Sequence, residues 1–187
     1  MYKLCKTEQS ARRQRELELG LQSLMLQRRY EDISVSDLCN QMKVPRKSFY
    51  RYFSSKEGCL FALMDHTLIE FFQSQLSADV EVVGTQIGDL DRYFHFWREH
   101  NQLLEALNRN GLSGTLVERS MALTLRERLM PQYLRGAEPL TQQLAMSFSV
   151  CGLLSMVLLW HQQGYRLTPE EMTKIAVSIL TQPLIQY

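Results

Sequence analysis

The stretch from Ser34 to Lys56 constrains this chain more than any other, because it reads as two short helices joined by a tight turn. Ser34 suits an N-cap and Asp37 stands three residues on, an approximate capping box with Asp in place of Glu. That opens a helix over Val35 to Met42, with Val35, Leu38 and Met42 inward. Lys43 and Val44 make the turn, and Pro45 suits the first turn of a second helix that runs to about Tyr52. Phe49 and Phe53 are four apart and face inward, so Arg46, Lys47, Tyr50 and Arg51 fall largely on the other faces. A helix this short, basic and aromatic has the make-up of one that enters the DNA major groove.

The rest of the chain lacks strand alternation bounded by turns; residues 79–84 are the only short β-branched patch. Apolar residues instead recur at three- and four-residue steps, which predicts an all-α chain. A first helix is expected over Gln9–Gln27, with Leu17, Leu21, Leu24 and Met25 as its apolar stripe and Arg12, Arg13 and Arg15 at its start. Basic side chains there oppose the helix dipole, a cost that solvation or a bound phosphate would offset. Ser55 caps a fourth helix running through Leu60, Met64, Leu68, Phe71 and Phe72 to about Leu76. Residues 77–85 read as a break, and helical patterns follow at about 86–109, 114–130, 138–163 and 168–181.

Net charge is only +1, but its distribution is uneven. Residues 1–56 hold 12 Lys and Arg against 6 Asp and Glu, and residues 57–187 hold 9 against 14. A basic amino-terminal third points to a local polyanion-binding surface. The four cysteines, Cys5, Cys39, Cys59 and Cys151, lack C-x-x-C spacing, which argues against a disulfide framework and fits a reducing cytoplasm. The start of the chain has no apolar signal run, and the longest apolar stretch, around Val150–Trp160, is too short to span a bilayer, so no membrane partner is expected. His95 and His100 are five apart and share no helical face, so neither a metal nor a cofactor is expected.

On residues 9–60 the chain resembles the TetR family of bacterial transcriptional regulators. The matching residues are the arginine-rich first helix, Tyr30, Ile33, Ser34, Val35, Asp37, Leu38 and Val44, then Ser48, Phe49, Tyr50, Arg51, Tyr52, Phe53, Ser55, Lys56, Glu57 and Leu60. The resemblance implies a three-helix DNA-binding domain, residues 1–56. A shared fourth helix joins it to a larger helical effector-binding and dimerisation domain, residues 57–187. It also implies that Tyr50 and Lys56 clamp the DNA backbone. Ser34 and Ser36, at the start of helix two, are placed to reach phosphate as well, while base reading falls to Arg46, Lys47, Ser48 and Arg51. Two positions depart from the family, which commonly has glycine where Lys43 and Lys47 stand. A left-handed backbone at Lys43 would cost roughly 1 kcal/mol. Lys47 adds a charged arm at a groove-facing position, so base preference does not transfer from better-known members.

The carboxy-terminal two thirds are rich in aromatic and sulfur residues, including Phe71, Phe72, Tyr93, Phe94, Phe96, Trp97, Met121, Met130, Tyr133, Met146, Phe148 and Trp160. Such residues build either a helix-bundle core or a pocket. By the family reading, some of them line a pocket for an apolar or aromatic effector, and Tyr93, Phe94, Trp97, His100 and Leu104 recur at helical spacing. The last two helices carry apolar faces: Leu140, Leu144, Phe148, Cys151, Leu154 and Leu158, then Met172, Ile175, Ala176, Ile179 and Leu180. Gly152 and Ser155 permit close helix approach. The faces serve either the intrachain core or, as in the family, a two-fold four-helix interface. A homodimer reading a palindromic duplex operator follows, since one short helix reads only a few base pairs.

The sequence contains no nucleophile elbow, Walker loop, glycine-rich dinucleotide turn or zincin motif, so catalysis is not expected. The expectation is a cytoplasmic DNA-binding repressor released by a small effector that displaces helix four. The alternative is a regulator controlled by a protein partner or working without an effector.

Overall fold

The computed structural model describes residues 1–3, 5, 7–76, 86–126 and 136–181. Among these residues regular structure is helical, and the only extended pairing is an isolated bridge between Tyr2 and Phe53. The all-α reading therefore holds.

Helix α1 spans Glu8–Met25 and begins where Thr7 Oγ1 accepts a hydrogen bond from the Ser10 amide at 3.3 Å. After a single 3-10 turn at Tyr30–Asp32 come α2, Val35–Gln41, and α3, Arg46–Tyr52. The capping box forms in full: Asp37 Oδ2 accepts from the Ser34 amide at 2.8 Å, and Ser34 Oγ accepts from the Asp37 amide at 3.1 Å. Two amides that have no partner within the helix are thereby satisfied. Lys43 adopts φ +52°, the left-handed turn for which glycine is the easier residue. Pro45 stands just before α3 as its N-cap, one position earlier than expected, with extended ψ 145°. Helix α4, Lys56–Leu76, is capped by Ser55, whose Oγ accepts from the Gly58 amide at 3.2 Å.

The expected continuous helix over 86–109 is two helices, α5 (Gln86–Glu99) and α6 (Asn101–Arg109), parted at His100. The Asn101 side chain donates to the Arg98 carbonyl at 3.0 Å, the local bonding by which Asn competes with helix continuation. Helices α7 (Ser113–Arg126), α8 (Pro139–Gln162) and α9 (Pro169–Thr181) follow. The expected break at 77–85, the last residues of the expected 114–130 helix, and Met130 and Tyr133 lie outside the described residues.

One expectation is corrected. The apolar segment is not confined to Val150–Trp160: α8 is a 24-residue helix, long and apolar enough by length and composition to cross a membrane. Few of its residues are buried, chiefly Leu154, Val157 and Trp160. The helix itself is expected over 138–163, but Gly152 and Ser155 count in the sequence as interruptions of its apolar run, and small residues do not make a helix polar.

Packing divides the chain into two compact units, Met1–Leu68 with Gln102–Ser120, and Ile69–Asn101 with Met121–Tyr187. The division follows contacts rather than chain order: α6 and half of α7 belong with the helix-turn-helix instead of with the residues around them.

In the first unit Leu17, Leu21 and Met25 of α1, Ile33, Leu38, Phe49, Phe53, Leu63 and Met64 are essentially inaccessible, together with Leu103, Leu104 and Leu107 of α6. Each large side chain buried this way contributes about 1.5–3 kcal/mol. Gly20 sits where a Cβ would lie 2.5 Å from Met42 Sδ and 3.1 Å from Leu38 Cδ1, so its lack of a side chain lets the end of α2 close on α1. The buried Asp65 carboxylate accepts from Tyr2 Oη at 2.7 Å and from Arg119 Nε at 2.8 Å, with Arg119 Nη2 on the same carboxylate. A buried charge is tolerable only when paired this completely.

In the second unit α5 packs on α9, and an aromatic cluster forms the interior. Phe94 meets Trp160 edge-on at 5.9 Å, and Phe96 meets Trp97 at 5.6 Å. The chain leaves α8 through Gly164 and Tyr165, both left-handed at φ +68° and +56°. Tyr165 is held there by the Trp160 ring at 4.8 Å and the Arg98 guanidinium 4.1 Å over its own ring.

Candidate nucleic-acid interface

The three-helix unit presents one side of α3 to solvent. Phe49, Tyr52 and Phe53 are buried, while Arg46, Lys47, Tyr50 and Arg51 are exposed and Ser48 is half-buried. The inward face is fixed by ring packing: Phe49 lies 5.1 Å from Phe53 and meets Tyr50 edge-on at 5.4 Å. Tyr52 belongs to the core as well. Tyr50 stands out from the domain at 45% exposure, and its hydroxyl accepts from Arg46 Nη2 at 3.2 Å. Among the described residues no carboxylate pairs with Arg46, Lys47 or Arg51, so their charge is available to an external anion.

The basic face continues onto α1. Gln9, Ser10 and Arg13 line one polar cleft with Ser48, Arg51 and Tyr52. Arg13 is tied to Glu16 at 2.9 Å, an exposed i,i+3 pair that holds its arm lightly. Arg15 takes no part, because it turns inward to Glu18 at 3.3 Å and to Thr67 Oγ1 at 3.1 Å. Sequence reading singled out the arginines of α1 but could not choose among them. The distinction is helical phase: Arg15 shares the side of Leu63 and Thr67, and Arg13 does not.

Ser34 and Ser36 lie at the start of α2, exposed and half-buried respectively. The Ser34 hydroxyl is engaged with Asp37 Oδ2 at 2.6 Å, so its first role is the cap. Lys56 is placed differently from the clamp that the resemblance implied. Its Nζ donates to the carbonyls of Tyr30 at 2.6 Å and Ile33 at 2.7 Å. The ammonium thus closes the 3-10 turn that precedes α2. Sequence could not reveal this, because the partners are backbone atoms more than twenty residues away.

The effector candidates separate. Tyr93, Phe94, Trp97 and His100 stand on or at the end of α5 in the second unit, whereas Leu104 is buried on α6 in the first. The stripe expected on one helix is therefore broken by the turn at His100. Phe94 and Trp97 are fully buried, and His100 stacks on Phe96 at 4.0 Å. Burial pushes the Tyr93 phenol above its ordinary range. The Trp97 indole N–H donates toward the Tyr93 hydroxyl, which works against that rise. A small crevice in the same unit is lined by Met121, Thr124, Leu125, Met146, Ser147 and Val150, of which Met121 and Met146 are among the sulfur residues that the sequence offers for a pocket.

A second convergence was not anticipated. Asp91 and His95 on α5 meet Glu170 in the first turn of α9, with one ligand-type atom from each all within 4.8 Å of one another. The Asp91 and His95 spacing of four was visible in the sequence, but Glu170 is brought to it only by helix packing.

Residues 23–63 match the family model for bacterial regulatory proteins, tetR family. The match covers α2, α3, the turn between them and the start of α4. That stretch is similar to the helix-turn-helix segment of TetR-family regulators. Solved structures agree in overall fold. The fatty acid degradation regulator FadR from Bacillus halodurans aligns at TM-score 0.59 with 15% identity, over 97% of this chain and 98% of that one. The dihydroxyacetone kinase operon activator DhaS aligns at 0.55 with 16% identity, over 89% and 93%. A tetR-family transcriptional regulator from Streptomyces coelicolor aligns at 0.51 with 19% identity, over 92% and 84%. No curated protein sequence matches the chain. The chain has a TetR-family regulator fold, and the similarity to the solved structures is one of architecture.

Proposed function

We propose that this chain is a dimeric, sequence-specific DNA-binding transcriptional regulator, acting as a repressor released by a small apolar or aromatic effector. The observation that carries the DNA-binding part is the exposed face of α3. Three cations without carboxylate partners stand beside a projecting tyrosine hydroxyl, on a helix pinned from behind by Phe49 and Phe53. Arg46, Lys47, Ser48 and Arg51 read bases in this account. Tyr50, Arg13, Ser10, Ser34 and Ser36 position the phosphates. At Lys56 the first amides of α4, rather than the ammonium, face the DNA backbone.

Dimerisation is supported by the apolar side chains left in water. Leu140, Leu144, Phe148 and Leu159 of α8 are each about 60% exposed, and Ile175, Ile179 and Leu180 of α9 are exposed too. Leu140, Leu144 and Phe148 are four apart and form one stripe, on which Gly152 and Ser155 also fall. A Cβ on Gly152 would meet nothing within 4 Å, so nothing in the chain itself requires glycine there. Close approach of a second α8 does. An effector would bind among Tyr93, Phe94, Trp97 and His100, an aromatic set in which the Tyr93 phenol and the His100 imidazole can meet a polar end of an otherwise apolar molecule. A ligand can act only by preferring the conformer whose recognition helices misfit the operator, each ~1.4 kcal/mol of preference weakening binding tenfold. This account places the protein in the cytoplasm and assigns it no catalytic role.

Selection of sites from random duplex DNA, read at two salt concentrations, tests the reading. A palindromic motif with a steep salt dependence is expected. Absence of enrichment at low salt would overturn it in favour of control through a protein partner. A promoter reporter separates repressor from activator, a distinction that matters because one of the similar structures is named an activator.

A further inference from the structure

We propose that Asp91, His95 and Glu170 form a binding site for a divalent transition-metal cation of the zinc class, which clamps α9 to α5. The inference rests on the second unit alone and stands whether or not the chain regulates transcription.

The two α5 ligands are one turn apart and project from one face. Glu170 reaches them from the first turn of the helix packed against that face, so the ligands come from two rigid elements. His95 Nε2 lies 3.3 Å from Glu170 Oε1 and 3.7 Å from Asp91 Oδ2. As ion pairs these are long, since charge-assisted N–H···O⁻ bonds close to about 2.7–2.9 Å. The shorter matches an edge of a coordination tetrahedron; the longer, and the Asp91 to Glu170 separation of at most 4.8 Å, would close on the cation. Ligands at about 2.0–2.1 Å from a tetrahedral centre stand about 3.3–3.4 Å from one another. Two carboxylates and one imidazole also carry two negative charges, which a dication neutralises. An imidazole nitrogen in the set favours zinc and its neighbours over magnesium or calcium, which prefer oxygen throughout.

Thr173 is buried, one turn beyond Glu170 on α9; its hydroxyl donates to the Pro169 carbonyl at 2.9 Å and lies 3.4 Å from Asp91 Oδ1, the oxygen not turned toward His95, so it is a neighbour of the site and a weak support at most. The three ligand side chains are 40–58% exposed, so water completes the coordination and the cation exchanges with solvent. With three protein ligands and water in the open position, the cation fastens α9 to α5 only while it is bound. The helix it fastens, α9, carries the exposed Ile175, Ile179 and Leu180.

The full chain, untagged and freed of metal by chelation, would be titrated with Zn²⁺ while melting temperature and heat of binding are followed. Co²⁺ serves as a spectroscopic probe and Mg²⁺ as control. One Zn²⁺ per chain, a rise in melting temperature absent with Mg²⁺, and a tetrahedral Co²⁺ absorption band are expected. His95→Ala should weaken Zn²⁺ binding at least tenfold, and Glu170→Gln should act in the same direction; both positions are exposed enough for the variants to fold. Binding unchanged in both variants would place the cation on the thiols or the other histidines and overturn the assignment. No stoichiometric binding by the metal-free wild type would overturn it as well, leaving the three side chains as an ion-pair triad.

Discussion

The Lys56 ammonium rests 4.2 Å above the Tyr30 ring and 2.6 Å from the Tyr30 carbonyl oxygen. A lysine at the head of α4 thus fastens the turn that leads into α2, and the helix-turn-helix is held from behind by a residue of the next element. Lys56→Met leaves carbonyls without their charged donor and should cost the domain about 2 kcal/mol. If the ammonium is structural, thermal stability falls while the salt slope of DNA binding is unchanged. If it is a phosphate contact, the slope falls by about 0.9. Melting and salt-dependent binding on one variant decide between the two.

Tyr50 and Lys47 should separate positioning from reading. Tyr50→Phe is expected to weaken binding to all duplex sequences alike, because its hydroxyl is assigned to phosphate. Lys47→Ala is expected to relax preference at one operator position, with about 1–3 kcal/mol of discrimination lost there. Identical selected sites for the wild type and Lys47→Ala would remove Lys47 from base reading.

Lys43 sits in left-handed backbone at φ +52° with an exposed side chain. Lys43→Gly should therefore stabilise the first unit by up to about 1 kcal/mol, less the entropy glycine loses on folding. A lower melting temperature would mean that the lysine side chain supplies more than its backbone costs.

Gly152→Leu should raise the helix propensity of α8 by about 1 kcal/mol, since space around the position is open within the chain. If two copies pack there, the same change drives a side chain into the interface and yields a monomer by sedimentation. A variant that stays dimeric would move the interface elsewhere. A wild-type monomer would leave the α8 stripe without a second copy as its cover, and vesicle co-sedimentation would then test a membrane in its place.

The Asp37 carboxyl is held below its ordinary value of 3.8, first by the Ser34 hydroxyl, then by the Ser34 amide, with Arg28 adding attraction. A depressed folded-state value stabilises the native state above pH 3.8 and loses that contribution as pH falls through the lower, folded value. Asp37→Asn should thus melt lower than wild type at neutral pH, and the gap should close under acid. A gap constant with pH would show that the cap works through hydrogen bonding without charge.

Much of the amino-terminal unit was legible because its determinants are local. The Ser34 and Asp37 cap and the inward Phe49 and Phe53 follow from spacing within a few residues, whereas the left-handed Lys43 was suggested only by the glycine that the resembling family has there. The aromatic stripe from Tyr93 to Leu104 was not legible in the same way. Helical period alone carried it through His100, where Asn101 turns its amide onto Arg98 and starts a new helix. The apolar length of α8 was underestimated for a related reason: Gly152 and Ser155 look like interruptions in a list of residues, but a helix tolerates both.

By itself the sequence determined that the chain is helical, where α2 and α3 begin and end, and which side of α3 carries charge. Those properties depend on hydrogen bonds and periodicities that span one or two turns. Tertiary structure alone decided that Arg15 turns inward while Arg13 lines the polar cleft with Ser48 and Arg51, and that Lys56 closes a remote turn. It also decided that Leu104 belongs with the first unit and that Glu170 meets Asp91 and His95. Each of these joins atoms far apart in the chain, and their meeting is set by how whole helices pack, which no local pattern encodes.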